Sequence, residues 1–124
     1  FRDEYEAGMA DYVESHQLAG LPYFSLASGF LAGHYTRDSQ PDTPRVSRVA
    51  DTYFSPRNFD TLERLHAVAK RHGVQPASVA LEWLRQQPGV TAPIASASRI
   101  DQVAPLLASL ELSADDLAEL SGNA

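Results

Sequence analysis

Two short apolar segments separated by helical sequence constrain the fold of this chain more than any other feature. The first, "LPYFS", covers Leu21–Ser25, and the second, "VTAPIA", covers Val90–Ala95. Both have the length and composition of buried strands. Because helical crossovers join parallel strands, the two are predicted to be parallel. The sequence therefore predicts part of an α/β domain.

The rest of the sequence is mostly helical in pattern, with recognisable start and stop signals. Residues 36–55 are the exception, because they are polar, contain prolines and have no clear period. They are predicted to form a long surface loop, a feature that is usually functional or mobile. The predicted helices are one starting at Asp3 with Glu6 and carrying Met9, Tyr12 and Val13; one over about Asn58–His72 that ends at Gly73; one from Pro76 to Pro88; and two with capping boxes, Ser98 with Asp101 and Ser113 with Asp116.

Composition excludes several classes of function. The chain has 124 residues, 44% of them apolar, and a net charge of −6 without a clustered basic patch, which argues against nucleic-acid binding. No apolar run reaches the roughly 18 residues of a membrane span. The absence of cysteine is typical of a cytoplasmic protein. His16, His66 and His72 have no ligand-spaced partner, so we interpret them as surface residues and predict no metal site.

Small and polar residues follow both predicted strands, as "SLASG" and "ASAS". In parallel α/β folds the carboxyl ends of the strands carry the ligand site. Ser96, Ser98 and Arg99 stand where a helix begins, and hydroxyls, backbone N–H groups and a guanidinium suit a phosphate. Taken alone, Ser98 is better explained as a helix cap. Two such strand ends together favour a ligand site.

Four segments of the chain resemble the aldo/keto reductase family, in the family's own order. "PYFSLASGFLAGHY" is similar to its seventh-strand segment, and "PIASASRIDQV" to its eighth-strand cofactor segment. "RHGVQPASVALEWLRQQPGV" resembles its penultimate helix, and "LELSADDLAEL" its closing helix. The resemblance implies an α/β fold, the C-terminal portion of a (β/α)8 TIM barrel with about the last two strands and their helices. Residues 1–124 are therefore expected to be a C-terminal fragment of an NADP-dependent oxidoreductase domain.

The resemblance also implies a cofactor site. Tyr23 matches the aromatic residue that stacks on the nicotinamide ring, and Phe24 takes this role if the register differs by one. A lysine of the family is replaced by His34. The other implied cofactor contacts are Ser25, Leu26, Ala27 and Ser28 for the pyrophosphate, and Ser96, Ser98, Arg99 and Gln102 for the adenosine phosphate and ribose. Since Arg99 can meet a 2′-phosphate, NADPH is the expected cofactor.

Adenine recognition departs from the family pattern. Pro105 and Leu106 stand where the family usually has a Glu-Asn pair that meets adenine. Adenine contact then falls to packing or to the long loop. Arg45 or Arg48 of that loop could clamp the cofactor, but a solvated loop arginine is the favoured interpretation of each.

The function implied is reduction of aldehydes or ketones by hydride transfer, with a small-molecule carbonyl compound as substrate. The family's tetrad of aspartate, tyrosine, lysine and histidine falls upstream of residue 1, so no catalytic residue is assigned here. This chain alone is expected to be inactive without the missing N-terminal part of the barrel. The alternative is a cofactor-binding regulatory subunit similar to potassium-channel beta subunits. A helix-turn-helix reading of "LERLHAVAKRHGVQPASVALEWL" is disfavoured, since residues 75–84 contain no basic side chain.

Overall fold

The computed structural model describes residues 2–3, 5–42, 44 and 46–122, and this part of the chain is mostly helical. Arg45, one of the two loop arginines considered above, lies outside the described residues. A π-helical turn precedes α1, and 3₁₀-helical turns cover Ala27–Ala32 and Ile100–Gln102. None of the described helices is long and apolar enough to cross a membrane. The described residues form six α-helices: α1 Ala10–Ser15, α2 Val46–Tyr53, α3 Pro56–His72, α4 Pro76–Arg85, α5 Val103–Leu107 and α6 Ala114–Ser121.

Helix α3 is the longest of the described helices, and its two ends follow the sequence signals. The hydroxyl of Ser55 accepts a hydrogen bond from the amide of Asn58 at 3.2 Å, which satisfies one of the free N–H groups of the first turn. Gly73 ends the helix in the left-handed conformation, with φ at +66°. The predicted helix is confirmed and begins at Pro56, two residues before the predicted start.

Helix α4 packs on α3 and completes the helical core. It begins at Pro76, as predicted, and ends at Arg85. Its residues Ala80 and Leu81 are both buried. Helix α6 also packs against α3 and adds Leu120 to the same core. The buried side chains that α3 and α4 contribute to the core cluster are Leu62, Leu65, Val68, Ala69, Val79 and Ala80.

The predicted N-terminal helix is interrupted. A π-helical turn over Tyr5–Met9 contains Gly8 at φ +140°, outside the helical range, and only then does α1 begin. Met9 and Tyr12, both predicted to face a core, are each 56% exposed. Of the apolar side chains predicted for this helix, only Val13 is half-buried.

An aromatic cluster around Phe30 forms a second part of the core. The Phe30 ring is fully buried, 5.5 Å from the ring of Phe59 and 5.9 Å from that of Phe54. Helix α2 packs against the turn that carries Phe30. The prediction of an irregular loop over residues 36–55 is therefore wrong in its second half. The cause is the spacing of Val46, Val49 and Tyr53, which places three apolar side chains on one helical face toward this cluster.

The two segments predicted to be strands lie side by side and run in the same direction, but neither is a β-strand. Gly20 and Val90 make an isolated parallel bridge. The amide of Gly20 donates to the carbonyl of Gly89 at 3.1 Å, and the amide of Thr91 donates to the carbonyl of Gly20 at 2.8 Å. The predicted parallel direction is confirmed, whereas strands over Leu21–Ser25 and Val90–Ala95 are contradicted.

Two prolines explain why the ladder stops after one bridge. A parallel ladder that continued from this bridge would use the amides of residues 22 and 93 as its next donors. Both residues are proline and have no N–H group. The next hydrogen bond is displaced by one residue, from the amide of Ile94 to the carbonyl of Pro22 at 2.9 Å.

The two predicted capping boxes have different outcomes. At α6 the prediction is confirmed, since Ser113 Oγ accepts from the amide of Asp116 at 3.1 Å and Asp116 Oδ2 accepts from the amide of Ser113 at 3.0 Å. Before α5 the prediction is wrong, because the side chain of Gln102 caps the turn in place of that of Asp101. The longer side chain at residue 102 reaches back to the backbone amides, whereas the side chain at residue 101 turns to its neighbour Arg99.

Candidate functional site

A cavity of about 430 Å³ lies between the first predicted cofactor segment, residues 22–34, and the helices α3, α4 and α6. We call it the central cavity. Four of the predicted cofactor residues of the first segment line this cavity. The second predicted cofactor segment, residues 93–102, contributes no residue to its lining. Its lining residues are Arg2, Tyr5, Met9, Pro22, Tyr23, Phe24, Ser25, Ala27, Leu31, Arg57, Asn58, Thr61, Arg64, Leu65, Ala80, Trp83, Leu84, Leu120 and Ser121.

Tyr23 and Phe24 form an exposed aromatic pair at the wall of the cavity. Tyr23 is 70% exposed and Phe24 is 59% exposed. Their ring centroids are 4.3 Å apart, and the ring planes are inclined by 40°. Because the pair is not a parallel stack, each ring keeps accessible surface on which a flat ligand could lie. The next residue, Ser25, is buried, and its hydroxyl donates to the carbonyl of Pro22 at 2.7 Å.

The backbone after Leu26 makes a left-handed turn. Ala27, Ser28 and Gly29 have φ values of +49°, +56° and +97°. Positive φ is unfavourable for residues with a Cβ atom, and consecutive residues rarely adopt it. Such strained backbone is concentrated at functional sites. The amide of Ala27 donates to the carbonyl of Phe24 at 2.8 Å, and that of Gly29 to Leu26 at 2.9 Å, which holds the turn in shape.

In the second segment, the side chain of Gln102 occupies the backbone donors that were predicted to cradle a phosphate. Its Oε1 atom accepts hydrogen bonds from the amide of Ser98 at 2.9 Å, the hydroxyl of Ser98 at 3.2 Å and the amide of Arg99 at 3.3 Å. The Ser96, Ser98 and Arg99 side chains are exposed. Gln102 Oε1 thus already accepts from these donors, and an oxygen of a ligand would have to replace it.

Arg99 is paired with Asp101. Its Nε donates to Asp101 Oδ1 at 2.9 Å, and its Nη2 contacts the other carboxylate oxygen. The hydrogen bond from Arg99 lowers the pKa of the Asp101 carboxyl below its ordinary value, and the charge of His34 makes a smaller contribution in the same direction.

The two predicted segments meet at one hydrogen bond, from the amide of Ile94 to the carbonyl of Pro22, just after the bridge between Gly20 and Val90. Beyond this contact they differ, because only the first segment lines the central cavity. That both segments hold one cofactor stays a prediction.

The sequence analysis missed a group of arginines at the central cavity. Arg57, Thr61 and Arg64 recur at spacings of four and three residues along α3, and all three line the cavity. This polar stripe at helical spacing was the available signal. The guanidinium carbon of Arg2 lies 5.1 Å from the centre of the Trp83 ring, a contact between distant residues that no local pattern indicates.

A buried carboxylate joins α6 to α3. Asp116 Oδ1 accepts a hydrogen bond from Arg71 Nη2 at 2.6 Å, and Oδ2 lies 3.0 Å from His72 Nε2. Oδ2 also accepts from the amide of Ser113, as part of the capping box, and from the hydroxyl of Ser113. The hydrogen bond from Arg71 is the largest cause that holds the pKa of Asp116 well below its usual range, with smaller contributions from Ser113 and His72. This cluster is structural and lies at the junction of two helices.

The three histidines interpreted as surface residues differ in environment. His16 is exposed and its ring stacks on Tyr12 with centroids 4.0 Å apart. His72 is exposed but contacts Asp116, as described above. The surface interpretation is wrong for His66, which is half-buried, with its Nε2 shielded from solvent. The described part of the chain has no group of three or more acidic or histidine side chains placed to hold a metal ion.

Comparison with known proteins identifies the class to which this chain belongs. The sequence model of the Aldo/keto reductase family matches residues 1–122. The chain belongs to the aldo/keto reductase family, and the resemblance found from its motifs is confirmed. Membership implies a (β/α)8 barrel, although the described residues of this chain form no strand.

Individual relatives support the same assignment. "Protein tas" of Escherichia coli K12 is 31% identical over 120 residues, which cover 94% of this chain and 35% of that protein. L-glyceraldehyde 3-phosphate reductase of the same strain is 25% identical over 93% of this chain and 36% of its own length. "Probable aldo-keto reductase 1" of Glycine max is 30% identical over 81% of this chain and 30% of its own length. The chain thus spans about a third of the length of these relatives, and the names of the second and third support an oxidoreductase.

Proposed function

We propose that residues 1–124 contribute the NADPH-binding part of a barrel that reduces aldehydes or ketones by hydride transfer. The observation that carries this proposal is the family match over residues 1–122, which includes both predicted cofactor segments. The backbone hydrogen bond from Ile94 to Pro22, which joins these two segments, supports a common site.

The first segment has features that fit a dinucleotide. Tyr23 offers an exposed aromatic ring, as stacking on a nicotinamide ring requires. The left-handed turn over residues 27–29 is built from two small residues and a glycine, so backbone can approach a pyrophosphate closely. Ser25 fits less directly, since its proton is already donated to Pro22. Its oxygen could still accept a hydrogen bond.

The second segment fits a phosphate provided that one side chain moves. Ser98 and Arg99 supply two amides and a hydroxyl at one point, and Gln102 now accepts from all three. A phosphate oxygen is a stronger acceptor than the Gln102 amide and would take these donors. Arg99 would then meet the 2′-phosphate in competition with Asp101. This competition supports a moderate preference for NADPH over NADH.

The cofactor and the protein have different roles in the proposed reaction. The bound cofactor supplies the hydride, and residues 1–124 hold and orient the cofactor. The proton donor and the carbonyl pocket belong to the rest of the barrel. This chain matches only about a third of the length of its relatives, so these parts lie in sequence outside residues 1–124. We accordingly propose that this chain alone is inactive. We also propose that the parent protein acts in the cytoplasm.

The test is NADPH binding to the intact protein, followed by fluorescence, with substitutions at two exposed tyrosines. Tyr23→Ala removes the proposed stacking ring and should weaken binding about tenfold, whereas Tyr23→Phe should retain most of the affinity. Tyr12→Ala is the matched control, because Tyr12 is also more than half exposed but lies on α1, outside both segments. Equal effects of the two alanine variants would contradict the proposed role of Tyr23.

A further inference from the structure

The hydroxyl of Tyr5 meets two glycines that stand just before the two predicted cofactor segments. Tyr5 Oη donates to the carbonyl of Pro88 at 3.1 Å. A Cβ atom built on Gly89 would lie 2.7 Å from this oxygen, and one built on Gly20 would lie 3.3 Å from it. Gly20 precedes the first segment and Gly89 precedes the second. We call Tyr5, Gly20, Pro88 and Gly89 the junction.

The two backbones approach each other at the junction so closely that residue 20 must be glycine. A Cβ atom on Gly20 would lie 2.2 Å from the carbonyl oxygen of Gly89, far inside van der Waals contact. The same oxygen accepts the hydrogen bond from the amide of Gly20 at 3.1 Å. Gly89 has φ at +72°, and a Cβ atom there would also lie 3.2 Å from Val13. The spacing of the two backbones is therefore set here, immediately before the segments begin.

Tyr5 reaches the junction from a distant part of the chain. It belongs to the π-helical turn before α1, and its hydrogen bond to Pro88 joins residues that are 83 positions apart. The carbonyl of Pro88 accepts from Tyr5, and the next carbonyl, that of Gly89, accepts from Gly20. Two successive carbonyls of one backbone are thus held from two sides, by the N-terminal turn and by the other backbone.

Anchoring of the N-terminal turn does not by itself account for this arrangement. That role explains the hydrogen bond from Tyr5 to Pro88, but it does not require the hydroxyl to lie beside both backbones. A side chain at either Gly20 or Gly89 would crowd the hydroxyl, at 3.3 and 2.7 Å respectively. The position of the hydroxyl therefore depends on both glycines, one from each backbone, and this links Tyr5 to the spacing between them.

We propose that the junction sets the spacing of the two cofactor segments and that Tyr5 is a positioning residue for the dinucleotide. The inference rests on the proposed cofactor role of both segments. A dinucleotide that contacts both segments binds with full strength only when they are held at the matching distance, because its second half then binds intramolecularly. A ligand that contacts one segment alone does not depend on that distance. Tyr5 acts through the two backbones.

The test compares NADPH with adenosine 2′,5′-bisphosphate, the part of NADPH that is assigned to the second segment. Binding of each ligand to the intact protein is measured by titration calorimetry. Tyr5→Phe keeps the ring and removes the hydroxyl, and it should weaken NADPH binding about three- to tenfold, as expected for one neutral hydrogen bond. Binding of the bisphosphate should change by less than about twofold. Tyr12→Phe is the matched control, because Tyr12 lies on α1 outside the junction, and it should leave both affinities unchanged.

Two results would overturn this inference and leave the proposed function intact. The first is an unchanged affinity of Tyr5→Phe for NADPH, and the second is equal weakening of NADPH and bisphosphate binding, which would indicate a general structural loss. If the unmodified protein binds no NADPH, the proposed function fails as well.

If Tyr5→Phe does not fold, amide hydrogen exchange in the unmodified protein decides the question. The amides of Gly20 and Thr91 donate between the two backbones at the junction. NADPH at saturation should slow their exchange at least about threefold more than the bisphosphate does, because only NADPH spans both segments. Equal slowing by the two ligands would overturn the inference.

Discussion

Replacing Asp116 by asparagine should destabilise the protein by about 2 kcal/mol, because it removes one charge-assisted hydrogen bond at the junction of α6 and α3. Asparagine has nearly the same shape as aspartate, and its oxygen can take the place of Oδ2. The contacts with Ser113 and His72 are then retained. The NH₂ group of the asparagine replaces Oδ1 and faces Nη2 of Arg71. Both groups are hydrogen-bond donors, so this hydrogen bond is lost.

The magnitude follows from the exposure of the two partners. A hydrogen bond to a charged group contributes about 1.5–3 kcal/mol. The side chain of Asp116 is 7% exposed, whereas that of Arg71 is 50% exposed, so solvent screening favours the lower half of this range. Asp116→Ala also removes the cap on the first turn of α6 and should cost about 3–4 kcal/mol in total.

Urea unfolding of the intact protein, followed by circular dichroism, measures these changes. Asp115→Asn is the matched control: Asp115 is exposed in the same first turn of α6 and contributes only through the helix dipole, about 0.3–1 kcal/mol. If Asp116→Asn falls within about 0.5 kcal/mol of Asp115→Asn, the buried pair with Arg71 does not stabilise the fold, and the reasoning is refuted.

The same carboxylate gives a pH dependence with a definite sign. The folded-state pKa of Asp116 is lower than its value of about 3.9 in an unfolded chain. The stability that Asp116 contributes is therefore complete above about pH 5 and is lost progressively as the pH falls below 4 toward the folded-state pKa. The difference in unfolding free energy between the unmodified protein and Asp116→Asn should shrink over this range.

Three further predictions concern the cofactor, the backbone and catalysis. Arg99→Ala should weaken NADPH binding more than NADH binding in the intact protein, and equal losses in the two titrations would contradict the 2′-phosphate contact. Gly33→Ala should lower the unfolding free energy more than Gly29→Ala, because both positions have positive φ but only at Gly33 would the new Cβ lie 2.9 Å from a ring carbon of Pro76; similar losses would refute that steric argument. Purified residues 1–124 should show no sustained NADPH oxidation with a panel of aldehydes, and turnover abolished by one substitution within this segment would place the proton donor here.

The helices that carry clear end signals could be predicted from the sequence. The end of α3 follows from Gly73, the start of α4 from Pro76 and the start of α6 from Ser113, each of which acts through its own backbone or its nearest neighbours. Family membership could also be predicted, because it rests on the order of whole segments along the chain. It does not require any single contact to be right.

The strands could not be predicted from composition alone, because the residues that stop the ladder lie in different segments. Pro22 and Pro93 each occur within an apolar run that otherwise resembles a strand. Their effect depends on the register set by the Gly20–Val90 bridge, which places both at donor positions. Once this register is known, the interruption follows from the missing N–H groups.

The site was predictable only in its local parts. The aromatic and small residues of the first segment are visible in the sequence, and Tyr23 is indeed exposed at a cavity. The partner of Arg71, by contrast, lies 45 residues further along the chain, and local patterns carry no information about such a pairing. Helix α2 was missed because prolines and polar residues before it obscured the spacing of Val49 and Tyr53.

The left-handed turn at residues 27–29 is a short piece of backbone with the opposite handedness to an ordinary helical turn. For an L-residue each such position costs about 1–2 kcal/mol, whereas a D-residue adopts it without strain. Glycine is the natural residue that relieves this cost, and at Ser28 it would delete the hydroxyl. A D-serine introduced at residue 28 by chemical ligation would relax the backbone and keep the hydroxyl, since the mirror-image residue matches its φ of +56°. The turn therefore marks a position where a change of chirality would suit the fold better than any of the encoded side chains.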